Sequence, residues 1–384
     1  MTRIAVVGGG PAGLLFATLA KRGRPNSSVE VFEQNPAGAT YGFGVVLADV
    51  ALDILDGVDA GLRRKIAEVA EFQDQITLIH KGVPIALKGN RFMGISRVKL
   101  LQLMQDNALE QGVEIHFQRR IEAPSVLRHY DLVVGADGVN SAVRSSLNEH
   151  FQATKEPRLN KWVWYATPKR LDSVGLIFQP SEFGTFIAHS YRFAPDLGTF
   201  VIECNEDSWR RAGLDRASDE ESRAICGAIF KDFLGDAPLV SNRSAWFNPE
   251  FVTCPVWHHD NVVLIGDALK TVHPSIGSGT RVALQDAIAL AKALDDRAGD
   301  VPSTLTTFEQ ERRSDAGSFQ DAAMKSILWY ETVDQRMHLD PVAFAYDFMM
   351  RTGRVSDERL RRLDPDFSDL VARNKIAITP QRGG

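Results

Sequence analysis

The stretch Ile4-Ala-Val-Val-Gly-Gly-Gly-Pro-Ala-Gly13 decides the fold of this chain. Its apolar, β-branched start predicts a buried parallel strand, and the spacing of Gly8, Gly10 and Gly13 predicts a tight turn into a helix that begins at Pro11. The free N–H groups and positive dipole end of such a helix attract a pyrophosphate, which a side chain at Gly10 would keep away. The stretch therefore predicts a dinucleotide site.

A second strand, Val29-Glu-Val-Phe-Glu33, follows the helix, and Glu33 lies 20 residues after Gly13. A carboxylate at this spacing can bind a ribose hydroxyl and would repel a 2′-phosphate, so FAD or NAD fits better than NADP. Three glycines alone have a purely structural explanation. Strand, glycines, helix and acid in this order favour the dinucleotide.

Composition excludes several other classes of protein. The 384 residues are 44% hydrophobic and 24% charged, which is enough for two folded domains, and a net charge of −5 gives no basic field for nucleic acid or an anionic membrane. Three widely spaced cysteines exclude a disulfide framework and a C-x-x-C pair. Because the first strand leaves no room for a signal peptide, we expect a cytoplasmic protein, as a monomer or homodimer.

The remaining pattern predicts a nucleotide-binding unit that is interrupted and then resumed. Before the interruption we expect a glycine-punctuated loop, a helix, a hairpin, a second helix and two strands, at Tyr41 to Val46, Ala51 to Val69, Ile76 to Leu87, Arg97 to Leu109, Val113 to Phe117 and Asp131 to Gly138. Four short runs between Lys161 and Glu203 predict an antiparallel sheet, followed by a helix from Glu220 to Phe233. Val262 to Asp267 returns to the first type of strand, and two helices follow at Thr280 to Leu294 and Ser303 to Arg336, before a basic, irregular tail.

Three segments, in order, carry a resemblance to a known family. Gly8-x-Gly10-x-x-Gly13, Asp137-Gly138 at the end of the strand from Asp131, and Gly266-Asp267 resemble the fingerprints of single-component FAD-dependent aromatic monooxygenases with the p-hydroxybenzoate hydroxylase fold. In that family the first segment holds the ADP half of FAD, the second supports the pyrophosphate, and the aspartate of the third binds the ribitol. Taken singly, the second and third could be an ordinary turn and a helix cap.

The resemblance implies an α/β fold, namely a Rossmann-like FAD-binding domain interrupted by an antiparallel β-sheet substrate domain, with C-terminal helices. The expected boundaries are 1–70, 90–150 and 250–300 for the FAD-binding domain, 71–89 and 151–249 for the substrate-binding sheet domain, and 301–384 for the helical segment. The expected FAD-binding residues are Gly8, Gly10, Pro11, Ala12, Gly13, Glu33, Gln34, Val45, Val46, Arg97, Asp137, Gly138, Asp267, Pro274, Gly277, Ser278, Gly279 and Thr280.

The flavin ring is expected over the loop from His273 to Thr280, because N–H groups at a helix start can stabilise negative charge on a reduced flavin. His273, His189 and Tyr165 are the candidate catalytic residues, although a packing role is as reasonable for a histidine and more common for an aromatic residue on a sheet. Arg97 could be a solvated surface arginine instead of an FAD contact. We expect no metal, since the adjacent His258 and His259 would face apart on a strand.

Further stretches resemble a subgroup that includes salicylyl-CoA hydroxylases, the monooxygenase half of aminobenzoyl-CoA monooxygenase/reductase and the violacein-pathway hydroxylase VioD. They are Tyr41 to Val46, Lys161 to Tyr165, Phe186 to Tyr191 with Thr199 to Glu203, His273 to Thr280, Trp329 to Val333 and Met337 to Tyr346. Leu269-Lys270 and Pro274 depart from the acyl-CoA members. Because the bifunctional members continue into a reductase domain and this chain stops at Gly384, we expect hydroxylation alone.

The implied reaction uses NADH or NADPH as a transient reductant of FAD and O2 that adds at flavin C4a, after which the hydroperoxide hydroxylates an electron-rich ring. A small aromatic substrate is expected, either free or CoA-linked, such as salicylyl-CoA hydroxylated at position 5. The alternatives are a free aromatic or indolic substrate, a halogenase, for which Trp162-Val-Trp164-Tyr-Ala-Thr-Pro168 is a near miss to W-x-W-x-I-P, and a non-enzymatic flavoprotein. Five tail arginines could meet CoA phosphates or form a solvated helix face, namely Arg351, Arg354, Arg359, Arg361 and Arg362.

Overall fold

The computed structural model describes residues 2–39, 42–48, 50–274 and 277–374, so Tyr41 of the expected loop lies outside the described residues. The chain forms two compact units. Unit 1 comprises Met1–Glu71, Met93–Arg158 and Asn248–Ala323, and unit 2 comprises Phe72–Phe92, Leu159–Phe247 and Met324–Gly384. No helix within the described ranges is long and apolar enough to span a bilayer.

The strands, in chain order, are β1 (Arg3–Val7), β2 (Ser28–Phe32), β3 (Gly44–Ala48), β4 (Glu71–Gln73), β5 (Ile76–His80), β6 (Val83–Leu87), β7 (Phe92–Ser96), β8 (Glu114–His116), β9 (Leu132–Gly135), β10 (Thr154–Pro157), β11 (Lys161–Thr167), β12 (Val174–Ser181), β13 (Gly184–Ala194), β14 (Leu197–Cys204), β15 (Glu250–Thr253), β16 (His258–His259) and β17 (Val262–Leu264). The α-helices are α1 (Pro11–Gly23), α2 (Val50–Asp56), α3 (Ala60–Ala67), α4 (Arg97–Glu110), α5 (Ala142–Ser146), α6 (Asn148–Phe151), α7 (Glu206–Arg211), α8 (Asp219–Ile229), α9 (Lys231–Leu234), α10 (Gly279–Asp296), α11 (Val301–Glu331), α12 (Pro341–Met350), α13 (Asp357–Leu363) and α14 (Pro365–Arg373).

Unit 1 is built around a six-stranded sheet of order β16-β17-β9-β1-β2-β8, in which all neighbours are parallel except β16 and β17. The strands β1, β9 and β17 are buried apolar runs, as a parallel sheet covered by helices requires. The three fingerprints follow the carboxyl ends of these same three strands. Because such ends meet at one edge of the sheet, segments that are far apart in the sequence come together where an α/β sheet binds its ligand.

Unit 2 contains a second six-stranded sheet, of order β11-β14-β13-β12-β5-β6. The expected hairpin of β5 and β6 and the antiparallel strands from Lys161 onward are both present, and β5 joins β12 in parallel. Alternation along the strands gives the sheet two apolar faces. Val163, Phe186 and Phe200 pack on helix α8 and its neighbours, whereas Phe178 and Ile187 pack against the end of α11 and against α12.

The structure confirms the predicted fold class and corrects two local predictions. Residues 44–46, expected in a loop, belong to strand β3. The tail expected to be irregular forms α12, α13 and α14, because Phe344, Phe348 and Leu360 bury their side chains in the apolar cluster on β5, β6 and β12. The arginines of the tail raise its average polarity, which suggests an irregular segment, whereas its apolar residues still recur at helical spacing.

Candidate functional site

In the glycine turn of unit 1, the fold requires Gly8 and Gly13, whereas Gly10 leaves room for a ligand. Gly8 has φ +108°, and a Cβ there would lie 2.3 Å from the Ala136 carbonyl oxygen. A Cβ at Gly13 would lie 2.2 Å from the Gly8 carbonyl oxygen. At Gly10, which precedes the first turn of α1, a Cβ would meet no described atom within 4 Å. The start of α1 is therefore open, as an incoming phosphate requires.

Glu33 lies beside this turn at the end of β2. Its Oε2 accepts a hydrogen bond from the Gly9 N–H at 2.8 Å, and its Oε1 accepts from the Asn35 backbone N–H at 2.8 Å and from Asn35 Nδ2 at 2.7 Å. These bonds aim the carboxylate at the glycine turn and leave lone pairs for a ribose hydroxyl. Gln34 is exposed next to it.

Asp137 orders the second fingerprint by capping its own loop. The carboxylate accepts from Ser141 Oγ at 2.5 Å and from the Ala142 N–H at 2.7 Å. Gly138 has φ +79°, and a Cβ there would meet no described atom within 4 Å. Asp137 therefore shapes the loop, while Gly138 leaves space beside it.

Arg144 is a residue whose role the sequence did not reveal. It is 4% exposed and joins the second fingerprint to the third, because its guanidinium donates to the Val139 carbonyl at 2.6 Å and to the Ala268 carbonyl at 2.9 Å. Its signal was an arginine within the apolar start of a helix. Only the fold shows that its second partner, Ala268, lies 124 residues further along the chain.

The third fingerprint places Asp267 in a recess. The side chain reaches solvent, yet the protein surrounding it raises the pKa of the carboxyl by desolvation, and the nearby Arg97 opposes that rise. Arg97 begins α4, where its own N–H donates to the Phe43 carbonyl at 2.9 Å. The exposed Arg97 thus acts electrostatically on Asp267 although 170 positions separate them in sequence, and Val45 and Val46 are half-buried on β3.

A buried ionic cluster lies directly behind Asp267. Asp286 on α10 is fully buried and accepts from Lys270 Nζ at 2.5 Å, from Arg312 Nη2 at 3.0 Å and from the Gly266 N–H at 3.1 Å. Burial lowers the pKa of the Lys270 ammonium, and the contact with Asp286 opposes that shift. The cluster fixes the turn that carries Asp267, and so gives Lys270, a departure from the family pattern, a structural purpose.

The loop between Asp267 and α10 contains the remaining expected FAD contacts. His273 is 6% exposed, and Pro274 is exposed. Gly277 has φ +59° and donates its N–H to the Pro274 carbonyl at 2.9 Å. Helix α10 begins at once, with Ser278 at its N-cap and Gly279 and Thr280 in its first turn, whereas residues 275 and 276 lie outside the described ranges.

Unit 2 holds His189 in an aromatic and ionic environment on one face of its sheet. His189 Nε2 lies 2.7 Å from Oε1 of the fully buried Glu203, and Glu203 Oε2 accepts from Asn160 Nδ2 at 3.0 Å. The imidazole stacks on Trp162 at 5.1 Å between ring centroids and contacts Tyr330 at 5.3 Å. The imidazole keeps 13% exposure, so a ligand can reach it.

The interpretation of Tyr165 as a pocket residue beside His189 is wrong. Tyr165 points to the opposite face of the sheet, is 1% exposed, and its hydroxyl lies 2.9 Å from Ser222 Oγ of α8. Successive residues of a strand face opposite sides, so Trp162 and Trp164, not Tyr165, share the face of His189. The sequence could not decide this because it does not state how β11 pairs with β14.

One further group of side chains has the composition of a metal site. Glu30, Glu114 and His116 lie with ligand atoms within 4.8 Å of one another at the β2–β8 edge of unit 1. His116 Nε2 already contacts Glu30 Oε2 at 2.9 Å, so the group is satisfied as an ion pair. We assign no metal to it.

The residues of unit 1 fit FAD. An uncapped helix start beside Gly10, a carboxylate aimed at that turn, and a recessed Asp267 with a nearby guanidinium supply partners for a pyrophosphate, a ribose and a ribitol chain. The spaces at Gly10, Gly138 and Gly277, where a Cβ would meet no described atom, line this same edge.

Comparison with known proteins agrees with this geometry. A family described as the FAD binding domain matches residues 1–323. The chain is 36% identical to a salicyloyl-CoA 5-hydroxylase of Streptomyces, over 96% of this chain and 73% of that protein, and 34% identical to the protodeoxyviolaceinate monooxygenase of Chromobacterium violaceum, over 97% and 98%.

Among solved structures, 2-methyl-3-hydroxypyridine-5-carboxylic acid oxygenase superposes with a TM-score of 0.72 at 17% identity, covering 94% of this chain and 96% of that one. At this identity the likeness supports the fold alone. The sequence relatives carry the assignment further, because they extend over nearly the whole chain. The chain therefore belongs to the FAD binding domain family and is an FAD-dependent monooxygenase of the aromatic hydroxylase type.

Proposed function

We propose that this enzyme hydroxylates an aromatic ring that enters as a CoA thioester, with salicylyl-CoA and 5-hydroxylation as the leading case. The observation that carries the proposal is 36% identity with a salicyloyl-CoA 5-hydroxylase over 96% of the chain. The His189 environment of unit 2 supports it. Trp162 and Tyr330 are buried against the His189 ring and hold it in place, and the partly exposed imidazole offers a polar contact to a ring substituent.

When bound, FAD supplies the reducing and oxygen-transfer chemistry, with NADH or NADPH as reductant. The protein residues bind the cofactor and orient the substrate. We propose that the α1 start at Gly10 binds the pyrophosphate, that Glu33 binds the ribose, and that Asp267 with Arg97 holds the ribitol side. His273 and the start of α10 would border the flavin ring, where N–H groups stabilise negative charge.

The tail arginines divide into two groups with respect to a CoA phosphate. Arg351 lies over the Phe348 ring, 3.8 Å from its centroid, and donates to Ser326 Oγ at 3.0 Å, so it belongs to the core of unit 2. Arg359 and Arg361 of α13 are exposed, and so is Arg362, which contacts Glu358 at 3.7 Å. We propose the exposed group as the contact for the nucleotide phosphates of CoA.

The test is substrate-stimulated oxidation of NADH or NADPH by the FAD-loaded protein, together with incorporation of oxygen from ¹⁸O2 into product. Salicylyl-CoA, salicylate and benzoyl-CoA form a matched series. We expect stimulation and ring hydroxylation with salicylyl-CoA, little with salicylate, and weak or uncoupled oxidation with benzoyl-CoA, which lacks the activating hydroxyl. Hydroxylation of salicylate at the same efficiency would contradict the thioester assignment.

A second candidate is hydroxylation of a free indolic or other aromatic substrate. The observation that favours it is 34% identity with the protodeoxyviolaceinate monooxygenase, of which this chain covers 98%. Indolic compounds are therefore included in the same assay. An R359E/R361E variant separates the two candidates, because it should raise KM for a CoA thioester and leave a free indolic substrate unaffected.

A halogenase is the least favoured enzyme in this fold. The near-miss stretch places Trp162 against His189 and stacks Trp164 on Phe247, with ring centroids 5.3 Å apart. Formation of chlorinated product with added chloride would support it.

Reduction of FAD by NADH or NADPH fits a cytoplasmic enzyme, and we propose that location together with a monomer or homodimer. Cell fractionation and sedimentation would test the two proposals.

A further inference from the structure

Glu203 is an unusual residue for the middle of a sheet. It is completely buried on β14, between Trp162 of β11 and Ile187 of β13, and a lone carboxylate in such a position would be strongly unfavourable. Its two oxygens are matched by His189 and by Asn160, each within hydrogen-bond distance. A carboxylate acts only as an acceptor, so both partners must donate to it.

This arrangement determines which nitrogen of the imidazole carries the proton. The Glu203 carboxylate requires a donor at 2.7 Å, so we infer that His189 presents Nε2–H to it. The neutral ring then has its lone pair on Nδ1. Within the described part of the chain, Nδ1 has no hydrogen-bond partner, and the side chain is 13% exposed. The imidazole is thus oriented with its basic nitrogen available.

Tyr330 supplies a second unsatisfied group beside it. Its ring contacts the His189 ring, its side chain is 1% exposed, and its hydroxyl has no hydrogen-bond partner among the described residues. Burial raises the pKa of this hydroxyl, so it remains a donor at neutral pH. A phenolic hydroxyl both donates and accepts. Because the Tyr330 hydroxyl is buried, the Nδ1 lone pair of the partly exposed His189 is the partner offered to that group.

We propose that Glu203 and Asn160 are positioning residues that hold His189 in its Nε2–H form, so that Nδ1 removes the proton from a ring hydroxyl of the substrate. The inference rests on the proposed function and specifies the substrate as a hydroxylated ring. In the step, the phenolic O–H bond breaks, the proton forms an N–H bond at Nδ1, and the electron pair stays on the oxygen. The phenolate is more electron-rich than the phenol, and Glu203 stabilises the imidazolium that forms.

Within the described residues, few other titratable groups lie close to the pair formed by His189 and Glu203. Glu203 faces His189 from β14, Tyr330 faces it from α11, and the Arg351 guanidinium stands 5.9 Å from the Tyr330 ring centroid.

A tautomer measurement tests the arrangement independently of activity. In protein labelled with ¹⁵N-histidine, with the His189 signals assigned from H189Q, we expect the Nε2–H form. In E203Q, Asn160 should still donate to position 203, which turns the glutamine oxygen toward Asn160 and its NH2 toward His189. The imidazole then becomes Nδ1–H. In N160D/E203Q the glutamine is reversed, and the Nε2–H form should return. An Nδ1–H ring in the wild type would overturn the proposal.

Activity distinguishes positioning from simple packing. E203Q should lower hydroxylation of salicylyl-CoA by about a hundred-fold in kcat. The loss should diminish at pH values above the pKa of the substrate hydroxyl, where the phenolate is already present. The amino-substituted 2-aminobenzoyl-CoA needs no such deprotonation and should be affected far less. Y165F, on the opposite face of the same sheet, is the control and should keep wild-type rates with both.

The outcomes separate the two proposals. If wild-type protein hydroxylates a hydroxyaryl thioester and E203Q keeps the wild-type rate or shows no recovery at high pH, the positioning role is wrong and the proposed function stands. If the wild type hydroxylates no aromatic thioester, the proposed function fails, and the tautomer spectra still decide whether Glu203 and Asn160 set the ring form. A urea-unfolding curve like that of the wild type in each variant shows that unit 2, which carries these residues, is folded.

Discussion

Single buried charges organise the edge of unit 1 at which we propose that FAD binds. Asp286 receives two cations and one backbone N–H, and so fixes the turn from which Asp267 projects. A lone buried carboxylate or ammonium would be far costlier than this satisfied cluster. The sequence showed a lysine where the family pattern differs, but it did not show that α10 and α11 would bring Asp286 and Arg312 to it.

Removing the charge of Asp286 tests this cluster. D286N leaves Lys270 buried without its ion-pair partner and leaves Arg312 with the exposed Asp315 alone, so we expect the free energy of unfolding to fall by about 3–5 kcal/mol. FAD should also be released more readily, because the Gly266 turn loses its anchor. Urea unfolding and flavin fluorescence measure the two effects. D296N on the same helix, which removes an exposed ion pair with Lys292, is the control and should behave like wild type.

Gly10 and Gly13 should respond differently to a methyl group. G10A adds a Cβ in open space at an ordinary φ of −80°, so we expect stability to change by about 1 kcal/mol or less, while FAD affinity falls roughly ten-fold or more. G13A places its Cβ against the Gly8 carbonyl and should destabilise the protein even without cofactor. Equal FAD affinity in G10A and wild type would show that the pyrophosphate does not bind at this helix start.

Strand β5 anchors helix α12 through a buried histidine, which gives this part of unit 2 a pH dependence. His80 is fully buried, contacts the Leu339 carbonyl oxygen through Nε2 at 3.0 Å, and stacks on Phe344 at 4.1 Å. Desolvation lowers the pKa of His80 below its usual 6.5, although the Leu339 carbonyl and Asp340 oppose the shift and Lys81 adds to it.

The direction of this pH dependence follows from the difference in proton binding at His80 between the folded and the unfolded chain. The unfolded chain binds a proton at His80 more readily than the folded one, so the contribution is present above about pH 6.5 and is lost as the pH falls toward the lowered folded pKa. H80Q keeps a donor for the Leu339 carbonyl without titrating and should reduce the loss of stability between about pH 7.5 and pH 5.5. The exposed His129 provides the control, since H129Q should retain the wild-type dependence. Urea unfolding at both pH values gives the result.

The tail helices belong to the core of unit 2, and a single truncation should show it. Phe344 of α12 is fully buried against His80 and Phe178. F344A should lower the free energy of unfolding by about 3–5 kcal/mol, because it leaves a cavity that the sheet cannot close. L328A on α11, whose side chain is 50% exposed, should cost much less. Equal effects in urea unfolding would mean that the tail does not pack as described.

Element types were largely predictable, and side-chain partners were not. The β1 turn, the β5–β6 hairpin and helix α4 follow from local periodicity, which depends on neighbours in sequence. Tyr165 shows the limit. Its face depends on how β11 pairs with β14, a register that no local pattern specifies.

Across the whole molecule, cofactor binding should stabilise the fold by mass action. FAD at about 100 times its Kd adds about 2.7 kcal/mol to stability if it binds the folded chain alone. Hydrogen exchange should slow first at the amides following β1 and β9 and at the start of α10, where we place the cofactor. An FAD titration followed by thermal unfolding measures the gain. Unchanged stability at saturating FAD would contradict the assigned edge.

The sequence by itself determined the FAD-binding fold, the order of the three fingerprints and the enzyme family. These are properties of short segments whose strand and turn conformations depend on local residue types. Only the tertiary structure decided that Glu203, held by Asn160, contacts His189, that Arg144 joins two fingerprints, and that Asp286 holds the Asp267 turn. The reason is physical. Such contacts join residues far apart in the chain, and strand pairing and helix packing determine which of them meet.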